Sequence, residues 1–246
     1  MAAIFLQGAG GQGSGVGSLA VPFPVDVTPG SLLVVGCAAA TTDLLAAQTT
    51  DSLGSAYAQA VALTGGFETG AGWGVAPLAL HYARATVGGP CTVTLDVGAT
   101  EDLALAIAEF APANEADLLM PFAPDYLLEQ PDGESVEVYL DLLAVSGLLV
   151  GVGSGFPYLR DVPYGGDFSL HPPSHLVYAW GHAAPFAFAM AYQHAEGPGL
   201  KALAWTLTNP GSPAVAEAYM VVCGFQSIGR DPVFPDYRRF PKRPVG

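Results

Sequence analysis

The sequence predicts an all-β fold: two tandem, similar β-sandwich halves and an extended C-terminal arm. Three observations predict it. Apolar runs rich in Val, Leu and Ile recur at residues 30–39 (GSLLVVGCAA), 104–110 (ALAIAEF), 147–153 (GLLVGVG) and 218–225 (AYMVVCGF). Each has the length of a buried strand and is too short for a membrane-spanning helix. Gly (31) and Pro (21) are abundant, which suits many turns and opposes long helices. Finally, the two halves end alike. Tyr82 to Phe110 contains Val93-Thr94-Leu95, and Tyr192 to Phe225 contains Trp205-Thr206-Leu207, the mark of a diverged internal repeat.

Taken in order, residues 2–7 read as a first strand and 8–17 (GAGGQGSGVG) as a flexible loop. That loop lacks the GK[ST] of a P-loop, so it is no phosphate cradle. Residues 19–25 read as a strand whose Pro22 and Pro24 place it at a sheet edge, because proline donates nothing to a ladder. Residues 41–50 read as a loop with a helical turn, and Asp51-Ser52-Leu53-Gly54 has the composition of a type I turn. Strands follow at 57–63, 78–83, 91–97 and 103–110, around a Gly-rich loop at 64–74 and a turn at 88–90. This makes about eight short strands in half 1, residues 1–112, as a jelly-roll or immunoglobulin-like sandwich needs. In half 2, residues 113–227, a Pro- and acid-rich connection at 112–131 precedes strand material at 139–152. A turn and strand edge at 155–161, a loop at 164–174, and strands at 175–180, 186–192, 201–208 and 216–225 complete it.

Residues 228–246 break the pattern. Pro232, Pro235, Pro241 and Pro244 forbid a helix and favour an extended arm. Charge separates with it. Arg230, Arg238, Arg239, Lys242 and Arg243 against Asp231 and Asp236 give the arm +3. Three cations against twenty acids leave the preceding residues at −17. Such a body repels nucleic acid. No run is long enough to be a membrane helix, and the N-terminus lacks the basic start and apolar core of a signal peptide, so it reads as mature sequence. Cys37, Cys91 and Cys223 are widely spaced and show no metal-ligand pattern. They read as reduced, structural thiols.

Motifs with chemistry are weak, and the reading is of no catalytic residue, metal or cofactor. His171, His175 and His182 are the candidates for zinc, but Pro172-Pro173 excludes a helical spacing, and loop or strand-face roles suit them better. Asp125, Glu129, Asp132 and Glu134 cluster without EF-hand spacing. Gly151 to Gly155 matches a nucleophile elbow only in part and in the wrong register. Glu101, Asp102 and Glu109 are the densest acids near a strand, with no separation readable from sequence. Trp73, Tyr158, Tyr164 and Phe168 fall in loops, where aromatics either contact partners or fold back over a sandwich end.

The segments Ile4-Phe5-Leu6-Gln7, Ser18 to Phe23, Val27 to Val35, Asp51 to Tyr57, Thr92 to Leu95 and Ala106 to Phe110, with Trp205-Thr206-Leu207 later, carry a resemblance. The chain resembles a β-sandwich module of tailed-phage structural proteins and bacterial surface proteins. The resemblance implies a virion protein made in the host cytoplasm: a capsid decoration or minor capsid protein, or a tail protein. It implies major capsid or tail proteins and sister subunits as partners, with many copies or a homo-oligomer on a particle, and it brings no catalytic residues. The arm lies outside it. Arg230, Phe234, Tyr237, Arg238, Arg239, Phe240, Lys242 and Arg243 are the candidate contacts there, combining buriable rings with a charge opposite to that of the body. A solvated terminus and an arm packed on its own body are the other readings. The alternative function is a carbohydrate-binding or adhesion module of a tail tip or cell surface, with Trp73 and Trp180 as candidate glycan platforms.

Overall fold

The computed structural model describes residues 3–40, 44–63, 77–112, 118–128, 135–142, 146–157, 167–170, 174–180, 187–196, 199–208 and 215–228. They are nearly all β. The strands of the first half are β1 (Ala3–Pro22), β2 (Leu32–Ala39), β3 (Gln48–Asp51), β4 (Ala58–Leu63), β5 (Leu78–Arg84) and β6 (Thr92–Pro112). Those of the second are β7 (Leu118–Leu128), β8 (Ser135–Leu142), β9 (Ser146–Pro157), β10 (Asp167–Leu170), β11 (His175–Trp180), β12 (Ala187–Glu196), β13 (Gly199–Thr208) and β14 (Val215–Ile228). A 3-10 turn, Leu44–Ala46, precedes β3.

All pairings are antiparallel. One sheet has the order β1-β6-β2-β5-β4, with β3 also on β6; a second has β11-β12-β9-β14-β7; a third has β10-β13-β8. Among the described strands, each pairing stays within 3–112 or within 118–228. The long partners β1 and β6 form a ribbon that folds over itself. Their register shifts between Gly13 and Ser18, where Gly15 and Gly98 take positive φ of 61° and 68°, a conformation glycine adopts without steric cost. Beyond that bend Val21, Val93 and Leu95 lie over Leu33, Val35 and Ile107 and close one core.

The opposite face of the same sheet closes a second core against the sheet of β9, β12 and β14. Leu32, Val34 and Phe110 meet Val150, Met190 and Phe225 there. Strand β2 is therefore buried on both faces throughout. This is why its sequence is uniformly apolar, although an antiparallel sheet with one wet face alternates. Burying a ring such as Phe110, Phe188 or Phe225, each fully enclosed, stabilises the fold by about 1.5–3 kcal/mol. On the far side of the second sheet, Leu203 of β13 fills the space over Gly151 of β9.

Four local expectations change. Residues 8–17 are strand, not flexible loop: they pair with β6, and their glycines admit a facing sheet. A Cβ on Gly8 would lie 2.7 Å from Val177 Cγ1, and one on Gly10 would clash with the Tyr178 ring. Consequently 3–7 and 19–22 join into β1, 92–97 and 103–110 join into β6, residues 23–25 lie outside any strand, and residues 3–112 hold six strands. The connection at 112–131 contains β7, an edge strand in which Pro121 and Pro124 are tolerated. The loop at 164–174 contains the short strand β10, paired with β13.

Candidate functional site

Several of the described polar side chains that are buried tie segments of the chain together. On β1, Gln7 clamps the backbone of Val25. Its Nε2 donates to the Val25 carbonyl at 3.1 Å, and its Oε1 accepts the Val25 N–H at 2.9 Å. The same amide nitrogen donates to Glu109 Oε2, while Glu109 Oε1 accepts the Thr28 N–H at 2.7 Å. Glu109 is fully buried. A buried carboxylate needs such donors to offset its lost hydration. Together Gln7 and Glu109 tie the 23–28 segment onto the β1–β6 ribbon.

Asp51 organises the turn after β3. Its Oδ1 accepts the N–H of Leu53 at 2.9 Å and of Ser55 at 3.0 Å, and its Oδ2 accepts the Tyr57 hydroxyl at 3.0 Å. Gly54 has φ 75° there, and its N–H reaches the Asp51 carbonyl, as in the turn read from the sequence. Burial raises the Asp51 pKa, but the donors of Ser55, Tyr57 and Leu53 outweigh it and hold the carboxyl below its ordinary value. Burial, and then the Asp51 carboxylate, push the Tyr57 phenol up.

His81 of β5 is buried and shares a hydrogen bond through Nδ1 with the Thr49 hydroxyl. Burial pushes its pKa down to about 4, so the imidazole is neutral at physiological pH. Asp102 accepts from Ser14 Oγ and from the Gly15 N–H at 3.0 Å. It pins the bend of the ribbon.

Glu109 and Asp102, two of the acids singled out near β6, bind separate segments. Among the described residues, no three of His, Cys, Asp and Glu are grouped to hold a metal. His175 stacks on Tyr192, with ring centroids 5.1 Å apart, and Tyr192 meets His194 edge-on at 5.4 Å. Its proposed zinc partners, His171 and His182, lie outside the described residues. The three cysteines are not joined in disulfides, and all are buried. Burial raises Cys37 to about 12 and Cys91 to about 11, the latter aided by Asp51 and Glu109. No helix among the described residues is long and apolar enough to cross a membrane.

No family model matches the chain, and no curated protein or solved structure matches it.

Of the candidate contact residues, Trp73, Tyr158 and Tyr164 lie outside the described residues. So do Arg230, Phe234, Tyr237, Arg238, Arg239, Phe240, Lys242 and Arg243. Phe168 is not in a loop: it occupies β10, opposite Leu207. Ile228, the first residue of the expected arm, is the last of β14. A feature that sequence reading misses lies at the start of the chain. Ile4 (47% exposed) and Leu6 (41%) stand out from β1, at the edge of its sheet. Leu6 is the extra residue of a bulge between Phe5 and Gln7. Residues 2–6 are a continuous apolar run in the sequence, so no alternation marks the exposed positions, and the bulge at Leu6 is a local departure from regular pairing.

Proposed function

We propose that the protein is a structural subunit of a tailed-phage virion, a capsid decoration or minor capsid protein that binds other virion proteins in many copies. The observation that carries this reading is a division of labour among side chains. Buried Gln7, Glu109 and His81 are engaged in holding segments of the scaffold together. The apolar Ile4 and Leu6, by contrast, are left on the surface of an edge strand. A bulged edge resists uncontrolled strand addition while still offering an apolar contact to a chosen neighbour. The sequence adds the resemblance of its segments to phage structural modules, and an arm at +3 against a body at −17. Opposite charges on neighbouring copies favour assembly of the arm onto an adjacent acidic surface.

The test is compositional. Source particles are purified by density gradient, and the protein is quantified by mass spectrometry against the major shell protein. The proposal expects a fixed, many-copy ratio that survives repeated banding. Protein that stays soluble and leaves the particle fraction empty refutes it. Removing residues 228–246 then checks the arm: incorporation falls, and falls further at raised salt.

A further inference from the structure

We infer that the two halves are copies of one module packed face to face about an internal two-fold axis, so that the shared buried face is an isologous interface whose fitting partner is a second copy of that module. The inference does not depend on the virion reading. It starts from strand order. Numbering only the strands of each large sheet along the chain, the first sheet runs first-fifth-second-fourth-third (β1-β6-β2-β5-β4). The second runs likewise (β7-β14-β9-β12-β11).

Register then makes the match residue by residue. On β2, Leu32 opposes Phe110, and Val34 opposes Tyr82. On β9, Leu148 opposes Phe225, and Val150 opposes Tyr192. Tyr82 and Tyr192, like Phe110 and Phe225, therefore occupy the same rungs. The small outer strands agree too: Thr49 of β3 faces Leu95, and Phe168 of β10 faces Leu207. Irregularities repeat as well. From the rung of Tyr82, β4 runs Ala58, Gln59 and then skips Ala60; from the rung of Tyr192, β11 runs His175, Leu176 and then skips Val177. Two unrelated sheets of like order have no reason to bulge at one rung, since a bulge is a local, heritable device.

The packing supplies the axis. In an isologous contact, residue i of one copy meets j of the other, and j meets i; positions on the axis meet their own equivalents. The register makes Gly36 and Val152 equivalent, and they are apposed: Val152 Cγ1 fills the space where a Gly36 Cβ would sit. Tyr82 meets Phe225 edge-on at 5.8 Å and 67°, and Tyr192 meets Phe110 edge-on at 5.3 Å and 76°. These are one contact seen twice. Strand β1 lies on β11 as β4 lies on β7, and β14 lies on β4 and β5 as β6 lies on β11 and β12. Two sheets facing each other can be exchanged only by an axis lying between them, and here it passes β2 and β9.

Two experiments on the full-length chain test this. The first is an experimental structure, in which 3–112 is superposed on 118–228. The inference expects a rotation of half a turn about an axis between Gly36 and Val152, with Tyr82 falling on Tyr192. A rotation far from half a turn, or another residue correspondence, overturns it. The second exchanges the axial pair. Gly36→Val and Val152→Gly each lower Tm, by crowding and by a cavity respectively. The exchanged variant, carrying both, regains at least half of the larger loss. An exchanged variant no more stable than Gly36→Val shows that the two sides are not equivalent, and overturns the inference.

Discussion

Replacing Gly8 with alanine tests whether residues 8–17 belong to a packed strand. An alanine Cβ at this position would lie 2.7 Å from Val177 Cγ1, 3.1 Å from the Ile107 carbonyl oxygen and 3.3 Å from Phe5 Cζ. Carbon atoms settle at about 3.5–4.0 Å, so Val177 must retreat by about 1 Å. The carbonyl belongs to the paired strand β6 and has little room to yield. Crowding of this kind costs about 1–3 kcal/mol. Fewer unfolded conformations return about 0.4–1 kcal/mol. The net loss is about 1–2 kcal/mol, or about 2–8 °C in Tm for a chain of this size. Gly17→Ala is the control: its Cβ would find the Ala99 carbonyl at 3.7 Å, an ordinary contact. Thermal unfolding followed by circular dichroism reads both variants, and Val177→Ala in the Gly8→Ala background should recover most of the loss. Equal behaviour of Gly8→Ala and Gly17→Ala, with both neutral or stabilising, refutes the reasoning and restores the flexible loop.

Further expectations follow from the buried polar groups. Glu109→Ala leaves one Gln7 amide hydrogen and the Thr28 N–H without their acceptor and should cost about 2–4 kcal/mol in urea unfolding; Glu109→Gln, which keeps an acceptor, should cost less, and equal losses contradict the clamp. His81 binds its proton less readily folded, at about 4, than at the ordinary 6.5. Between those values the unfolded chain takes up more protons, so stability falls as pH drops from about 6.5 to about 4. His81→Gln should flatten that part of the profile, and an unchanged slope assigns it elsewhere. Asp51, held below its ordinary pKa of 3.8, contributes stability above that value that is lost as pH falls through the lower, folded one; Asp51→Asn should remove this acid-side loss. Cys37, Cys91 and Cys223 are buried and should resist a thiol reagent at pH 8 until urea unfolds the chain; prompt labelling of the native protein would show that a thiol is open.

The central strands were legible because double-sided burial writes itself into composition. Residues 32–39 and 103–110 are apolar without alternation, and they lie between two cores. The proposed equivalence of Tyr82 with Tyr192 and of Phe110 with Phe225 was suggested by the sequence, and the structure brings these rings into contact across the central core. What escaped depends on partners distant in sequence. A glycine selected for the approach of Tyr178, such as Gly10, looks the same in sequence as a glycine in a loop. Strand β7 was hidden by Pro121 and Pro124, which mark a connection unless the strand is known to be an edge. The same holds for the candidate site. Glu109 stood out as an acid in an apolar run, but Gln7 and Thr28, the groups that explain it, become visible only when β1 pairs with β6.

An electron-microscopy map of the source particle, at a resolution that traces strands, tests the account most directly. The account predicts a repeated subunit on the particle, with its two large sheets stacked face to face and exchanged by half a turn, and with the β1 edge at Ile4 and Leu6 against a neighbouring chain. A particle whose density is filled without this subunit, or a subunit that touches its neighbours only through other surfaces, contradicts it.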